Sequence, residues 1–292
     1  MSGKKKIDVA LIYDFDGTLS PGNMQEFGFV QAIGKNREDF WRKNHQIATD
    51  NDASEILCYM SLMIKEANYN NIRLTRESFR QFGGMIELFP GVLNWFHCIT
   101  EYGKELKLNI KHFVISSGLK EMIEGTPIAK EFENIYACSF LYDINGVTYW
   151  PAVAVDYTAK TQFLFKINKG IKEVSDNSKI NQYIPENERR IPFERMIYFG
   201  DGNTDIPCMK MVKNHGGHSI AVYGNKSKPT AMNLINEDRA NFACLADYSE
   251  GKDIHNVVKR ILQKIRTDYD FQRLIDVHRE GAAKYKHKIM QQ

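Results

Sequence analysis

Ile12-Tyr13-Asp14-Phe15-Asp16-Gly17-Thr18-Leu19 decides the reading of this chain. The apolar run from Val9 to Tyr13 predicts a buried strand, and it delivers two carboxylates one residue apart at its C-terminal end. In an open parallel sheet the ligand site lies outside the carboxyl ends of the strands. Two close anions at that place call for a cation or a shared proton, because neither carboxylate tolerates the other's charge at short range. An isolated Asp-x-Asp is commoner in surface turns, so the rest of the chain has to supply the context.

Three further elements supply it. Ser116-Ser117-Gly118 follows the apolar run His112 to Ile115, and Gly200-Asp201-Gly202-Asn203-Thr204-Asp205 follows Met196 to Phe199. Between them Lys160 opens a helix-like stretch in Thr158-Ala159-Lys160-Thr161. Singly, each has an ordinary reading: a helix start for the serines, a solvated lysine with Lys166 as rival, a tight turn for Gly-Asp-Gly. Jointly, each polar element closes a strand or opens a helix, as a site assembled at strand ends requires. Asp-x-Asp-Gly-Thr, a strand-terminal Ser, a Lys and Gly-Asp-Gly-x-x-Asp in this order resemble the haloacid dehalogenase-like superfamily, and within it the phosphoserine-phosphatase-like group of helical-cap hydrolases. The resemblance covers residues from about 7 to 250.

Composition agrees with a soluble enzyme. The chain has 292 residues and 43% hydrophobic content, enough for a large core with an accessory domain. Lys+Arg 39 against Asp+Glu 36 leaves a formal charge of +3, short of the excess by which a basic domain grips nucleic acid. Asp268, Asp270, Asp276 and Glu280 also interleave the basic carboxyl tail. Lys4-Lys5-Lys6 before Ile7 to Tyr13 imitates a signal peptide, but Asp8 and Asp14 interrupt an apolar stretch far too short to enter a membrane. The stretch is read as a first strand with a basic leader. Cys58, Cys98, Cys138, Cys208 and Cys244 are odd in number and scattered, without metal-ligand or redox spacing, as expected of reduced thiols in the cytoplasm. The expected partner is a small phosphorylated metabolite, with no nucleic acid and no membrane. The sequence sets no oligomeric state.

Strand-like and helix-like stretches alternate, which predicts a parallel sheet with crossover helices. The rhythm breaks between Pro21 and Pro90, where Met24, Phe27, Val30 and Ile33, then Ile56, Leu57, Met60, Met63 and Ile64, recur at helical spacing. The resemblance makes this insertion a C1-type helical cap on a Rossmann-like, doubly wound α/β core, with the core formed by residues 1–20 and 89–292 and the cap by 21–88. Asn145-Gly146 predicts a two-residue hairpin between Ala137–Tyr142 and Val147–Ala154. Lys169 to Arg195 is polar and reads as a surface excursion. Beyond Gly251, Ile254, Val257, Val258, Ile261, Leu262 and Ile265 form one apolar helical face, followed by a helix end or frayed tail.

The resemblance implies roles. Asp14 is the nucleophile that forms an aspartyl phosphate, dividing one hard step into two, and Asp16 protonates the leaving oxygen and later activates water. Ser116 and Ser117 bind phosphate at the start of a helix near Leu119, where amides favour an anion, and Lys160 offsets the negative charge. Mg²⁺ is held by Asp14, Asp201 and the Asp16 carbonyl, with Asp205 anchoring a water of the metal shell or Lys160. An aspartate two residues after the nucleophile separates phosphatases and mutases from dehalogenases and ATPases. A mutase cap signature is absent, so hydrolysis of a small phosphate monoester is expected, with a phosphotransferase or phosphomutase, or a non-catalytic phosphate-binding module, as alternatives.

For the substrate's remainder the chain departs from the phosphoserine pattern. Asn23 stands where a glutamate would contact the amino-acid ammonium, with Glu26 about one turn on, and Thr204 stands where Asn or Ser is usual. Asn23, Gln25, Glu26, Arg42 and Lys43 are the polar cap candidates, each with an ordinary exposed-helix reading. Phe27, Phe40 and Trp41 form either a ring pocket or cap core.

Overall fold

The computed structural model describes residues 7–290, apart from the side chains of residues 187 and 287–290. The basic leader Lys4–Lys6 lies outside the described residues.

Strand β1 (Ile7–Tyr13) is buried almost throughout, as a central parallel strand covered on both faces must be. A helical segment follows: a 3₁₀ turn at Met24–Glu26, then α1 (Phe29–Ala32), α2 (Arg37–Asp50), α3 (Glu55–Tyr69) and α4 (Arg76–Gly83). Each of the longer helices starts at a polar cap. Asn36 Oδ1 accepts from Asp39 N at 2.7 Å, Ser54 Oγ accepts from Leu57 N at 3.4 Å, and Thr75 exchanges bonds with Ser78. Gly91, with a left-handed backbone, opens α5 (Val92–Glu105), which returns the chain to the sheet.

The remaining elements are β2 (Leu108–Leu119), α6 (Lys120–Glu124), β3 (Phe132–Tyr142), β4 (Thr148–Val153), α7 (Ala159–Lys169), α8 (Ser178–Asn181), β5 (Met196–Gly200), α9 (Ile206–Asn214), β6 (His218–Tyr223), α10 (Lys228–Asn236), β7 (Phe242–Leu245) and α11 (Asp253–Met290). They complete a seven-stranded sheet of order β4-β3-β2-β1-β5-β6-β7, parallel except for the β3–β4 pair. The chain thus leaves β1 in one direction and later returns to its other side. Helices α5 and α11 pack together, as do α7 and α9. The switch point lies beside β1, where Tyr13 is in register with Val114 of β2 and Phe199 of β5.

One local expectation changes and two become specific. The hairpin turns through three residues, not two: Asp143 N donates to Val147 O at 2.9 Å and Gly146 N to Asp143 O at 3.0 Å, with Gly146 at φ 73°. The Asp143 carboxylate, accepting from Asn145 N and Val147 N, favours this wider loop over a turn centred on Asn145-Gly146. The helix expected near Leu119 begins at Lys120 with Leu119 as its N-cap, and β2 continues through the serines up to it, with a register shift between Ser116 and Leu119. The carboxyl tail continues α11 to Met290, about 57 Å of helix. Ile254, Val258, Ile261, Leu262 and Ile265 are buried, while every residue from 270 to 286 is exposed except half-buried Ile275. No helix among the described residues is long and apolar enough to cross a membrane.

The helical segment is pinned where it leaves and rejoins the sheet. Phe89 N donates to Leu19 O at 2.9 Å, while Tyr248 N donates to Pro90 O and its hydroxyl to Thr18 O, both at 2.8 Å. Farther out, α4 lies against α6 at backbone distance: a Cβ on Gly83 would stand 2.0 Å from Met122 O, and one on Gly125 would stand 2.1 Å from Arg80 O. Carbonyls of packed helices cannot yield as a side-chain tip can. Gly83→Ala and Gly125→Ala are therefore expected to destabilise the protein by roughly 1–3 kcal/mol. Gly281→Ala, on exposed helix with nothing within 4 Å, should be neutral or stabilising by up to about 1 kcal/mol. Urea midpoints of the three variants check this, and equal shifts would refute the close-packing argument.

Candidate active site

Asp14 is the first residue past β1, and its N–H donates to Phe199 O at 2.8 Å, so β1 and β5 remain zipped up to the carboxylate. Ser116 on β2 and Asp201 past β5 each lie two residues beyond Tyr13's register partners. Three adjacent strand ends therefore present Asp14, Asp16, Ser116, Ser117, Asp201 and Thr204 on one cavity of about 370 Å³.

Lys160 lies under this floor, with no exposed side chain. Its Nζ is 2.7 Å from Asp205 Oδ1, 3.4 Å from Thr204 Oγ1 and 3.0 Å from Asp14 Oδ1, the last a close ion pair rather than an aligned hydrogen bond. Burial opposes its charge, but Asp14 and Asp205 outweigh that and hold it protonated. The rival Lys166 is elsewhere, donating to the carbonyls of Glu173 and Asp176. Asp205 is fully engaged: Oδ1 also accepts from Tyr198 OH at 2.7 Å, and Oδ2 accepts from Asp201 N at 3.2 Å. Tyr198, on the buried strand β5, reads from sequence as core; only its hydroxyl distinguishes it from an apolar neighbour.

One ammonium cannot neutralise four close aspartates. Desolvation at the enclosed floor, then the charge of Asp205, push Asp14 up to about 6 against the pull of Lys160. Asp16 is raised well above the usual carboxylate range by desolvation and then by Asp14, although the Met24 N–H lowers it through a 3.0 Å bond to Oδ1. Asp201 is raised by desolvation, Asp205 and Asp14 in turn. The donor set fits a hard divalent cation. Oxygens of Asp14, Asp201 and Asp205 lie within 4.8 Å of one another, and with Asp205 committed to Lys160 and Tyr198 the first two remain for a metal. Gly17 keeps the space open: at φ 76° it approaches Asp201 so closely that a Cβ would stand 2.1 Å from Oδ2.

Gly118 N donates to Ser116 Oγ at 3.0 Å, leaving the buried hydroxyl its own proton to offer. Ser117 Oγ is buried without a partner, and Ser117 O accepts from Tyr59 OH of α3 at 2.7 Å. Since α6 starts only at Lys120, the serines stand on a bulged strand rather than at a helix terminus.

Of the polar residues expected to face the substrate, Asn23, Gln25 and Glu26 line the cavity. Arg42 does not: it projects from α2 and pairs with Asp39, and Lys43 pairs with Glu66. Phe40 is buried within the helical segment, whereas Trp41 reaches the cavity and donates its Nε1–H to Glu26 Oε1 at 2.8 Å. Asn44, Glu55, Ile56 and Tyr59 complete the wall. Asn44 carried a signal, as a polar residue at the buried i, i+4, i+8 positions Phe40, Asn44 and Ala48.

A family model for haloacid dehalogenase-like hydrolases matches residues 11–210. An uncharacterized protein of Borreliella burgdorferi is 30% identical, over 85% of this chain and 94% of its own length. Two solved structures share the fold. A haloacid dehalogenase family hydrolase of Salmonella enterica serovar Typhi is 16% identical, with a TM-score of 0.54 over 82% of this chain and 68% of its own. A substrate-bound phosphoserine phosphatase is 17% identical, with a TM-score of 0.54 over 88% and 99%.

The raised Asp14 makes a pH prediction for metal-free protein. From its ordinary 3.8 up to about 6 the folded chain keeps a proton that the unfolded chain has released, so stability falls as pH rises through that window. Asp14→Asn removes this dependence. Between pH 4 and 7 the variant should gain on the wild type by on the order of 3 kcal/mol in urea unfolding with chelator present. A difference that stays flat with pH would contradict it.

Proposed function

The chain belongs to the haloacid dehalogenase-like hydrolase family, and from that premise we propose that it is a magnesium-dependent phosphatase of small phosphate monoesters working through an aspartyl phosphate on Asp14. The observation that carries this reading is the convergence of Asp14, Asp16, Ser116 and Asp201 on one cavity, with the Lys160 ammonium beneath Asp14.

An Asp14 oxygen attacks phosphorus while the P–O bond to the alcohol breaks, and Asp16 gives its proton to the departing oxygen. The upward shift of Asp16 suits this donation, since a carboxyl that keeps its proton near neutrality can serve as an acid. In the second half Asp16 takes a proton from the water that attacks the aspartyl phosphate, releasing inorganic phosphate and restoring both carboxyl groups. Ser116 and Ser117 hold phosphoryl oxygens through hydroxyls free for that use. Lys160 steadies Asp14 Oδ1 and balances charge gathering on the transferred group. Magnesium, held by Asp14, Asp201 and the Asp16 carbonyl, would supply further positive charge against the phosphoryl oxygens. Residues 21–88 act as the cap, choosing substrates through the wall that faces the floor.

With p-nitrophenyl phosphate and Mg²⁺, Asp14→Asn should abolish turnover, and Asp16→Asn should lower kcat by roughly 10²–10⁴. Phosphate trapped on Asp14 by rapid quench and peptide mass spectrometry is the expected direct sign. Wild-type turnover by Asp14→Asn, free of contaminating phosphatase, would remove the proposal. Chelation should abolish activity and Mg²⁺ restore it. Ca²⁺ should inhibit, since its larger shell readily takes carboxylates in bidentate fashion and would engage both Asp14 oxygens. Full activity with metal analysis showing none bound would contradict the metal requirement.

A further inference from the structure

Resting on the phosphatase reading, we infer that the alcohol portion of the substrate is a cationic hydrogen-bond donor without a carboxylate: the ester is an O-phosphorylated amino alcohol. The wall facing the phosphoryl floor is made of acceptors. Glu26 is held in it as a fixed carboxylate, since Oε1 accepts from Asn23 Nδ2 at 2.9 Å and Trp41 Nε1 at 2.8 Å. Glu55 adds a second carboxylate.

Two amides continue the pattern. Asn44, 3% exposed, donates Nδ2 to Glu55 O at 3.2 Å, which fixes its orientation and leaves Oδ1 buried with no partner. Gln25, 1% exposed, likewise has Oε1 buried and unpartnered. Orphaned acceptors inside a fold are costly, and a ligand bearing several N–H donors would satisfy them. The Trp41 indole, edge-on to the Tyr59 ring with centroids 5.9 Å apart, adds an aromatic surface of the kind that attracts a cation.

This wall offers an anion no cationic side chain. No lysine, arginine or histidine is among the described residues lining the cavity. The neighbouring basic groups are committed to carboxylates: Lys35 and Lys43 to Glu66, Arg37 to Glu38, Arg42 to Asp39, and His45 Nδ1 to Glu55 Oε1 at 2.6 Å. A carboxylate or second phosphate on the substrate would therefore meet Glu26 with no cation beside it, and a Glu55 whose ion-pair partner His45 lies outside the lining. The pocket thus selects against phosphoserine while accepting its decarboxylated analogue.

The experiment compares kcat/KM for O-phosphoethanolamine, O-phosphoserine, glycerol 3-phosphate and p-nitrophenyl phosphate with Mg²⁺ present. The aminoethyl ester should exceed both phosphoserine and glycerol 3-phosphate at least tenfold. Glu26→Gln, which keeps an acceptor for Trp41, should lower the ratio of kcat/KM for the aminoethyl ester over the p-nitrophenyl ester at least tenfold, and Glu55→Gln should lower it in the same sense. Phosphoserine or glycerol 3-phosphate matching the aminoethyl ester would overturn the inference even if neither variant folds, as would carboxamide variants that slow both esters by one factor. Absence of p-nitrophenyl phosphate hydrolysis by the wild type would instead strike the phosphatase reading itself.

Discussion

A lysine with no access to water sits under the floor of this molecule, and the centre of the fold is arranged to keep it charged. Lys160 can hold its proton only where carboxylates meet it, because an unpaired ammonium in the interior costs more than the fold can spare. Its partners arrive from separate parts of the chain, Asp14 after β1 and Asp205 from the loop after β5. The β1–β5 pairing that continues to Asp14 N and the Tyr198 hydroxyl on Asp205 are the scaffold of that meeting. Desolvation and then the excess negative charge raise the neighbouring carboxylates, and that charge leaves room for a cation.

The core and the floor were legible because their signals are local. An apolar run ending in polar residues reads as a buried strand whatever the rest of the chain does, so Asp14, Asp16, Ser116 and Asp201 can be placed at strand ends, and their order, not any one of them singly, supplies the family. Lys160 and its rival Lys166 could be separated only in three dimensions, since both are buried on α7 and differ in what they meet. The wall was less legible for the same reason. Asn23, Gln25 and Glu26 sit close in sequence to the floor and stay close in space, whereas Arg42 lies half a turn from the inward stripe of α2 and Asn44 lies on it. The helix start near Leu119 was legible from the serine pair before a glycine, whereas the continuation of β2 through the serines was not, because it depends on pairing with Ala137 and Cys138 of β3.

Floor and wall share fasteners. Met24 donates its backbone N–H to Asp16 and accepts the Leu119 N–H on its sulfur, so one buried residue ties the segment after β1 to the segment after the serines. Tyr59 reaches from α3 to the Ser117 carbonyl, beside a Cys138 thiol that donates to the same oxygen at 3.3 Å. The wall that would recognise the alcohol is thereby coupled mechanically to the strand that would hold the phosphoryl oxygens. Displacing α3 would disturb both.

The seam at Leu19 and Phe89 has a consequence for how such chains diversify. Everything between those residues leaves and rejoins the sheet through a single closure that Tyr248 clamps from the far end of the core. With the ends held together, the entropy of closing the intervening chain grows only logarithmically, at about 0.6 kcal/mol for each doubling of length. Closure entropy at this seam therefore sets little limit on the insert's length, and the contacts of Met24, Tyr59 and α4 with the core set the limit instead. An insert grafted at this seam would have to reproduce the Met24 N–H on Asp16 and the Tyr59 hydroxyl on the Ser117 carbonyl to leave the floor as it is.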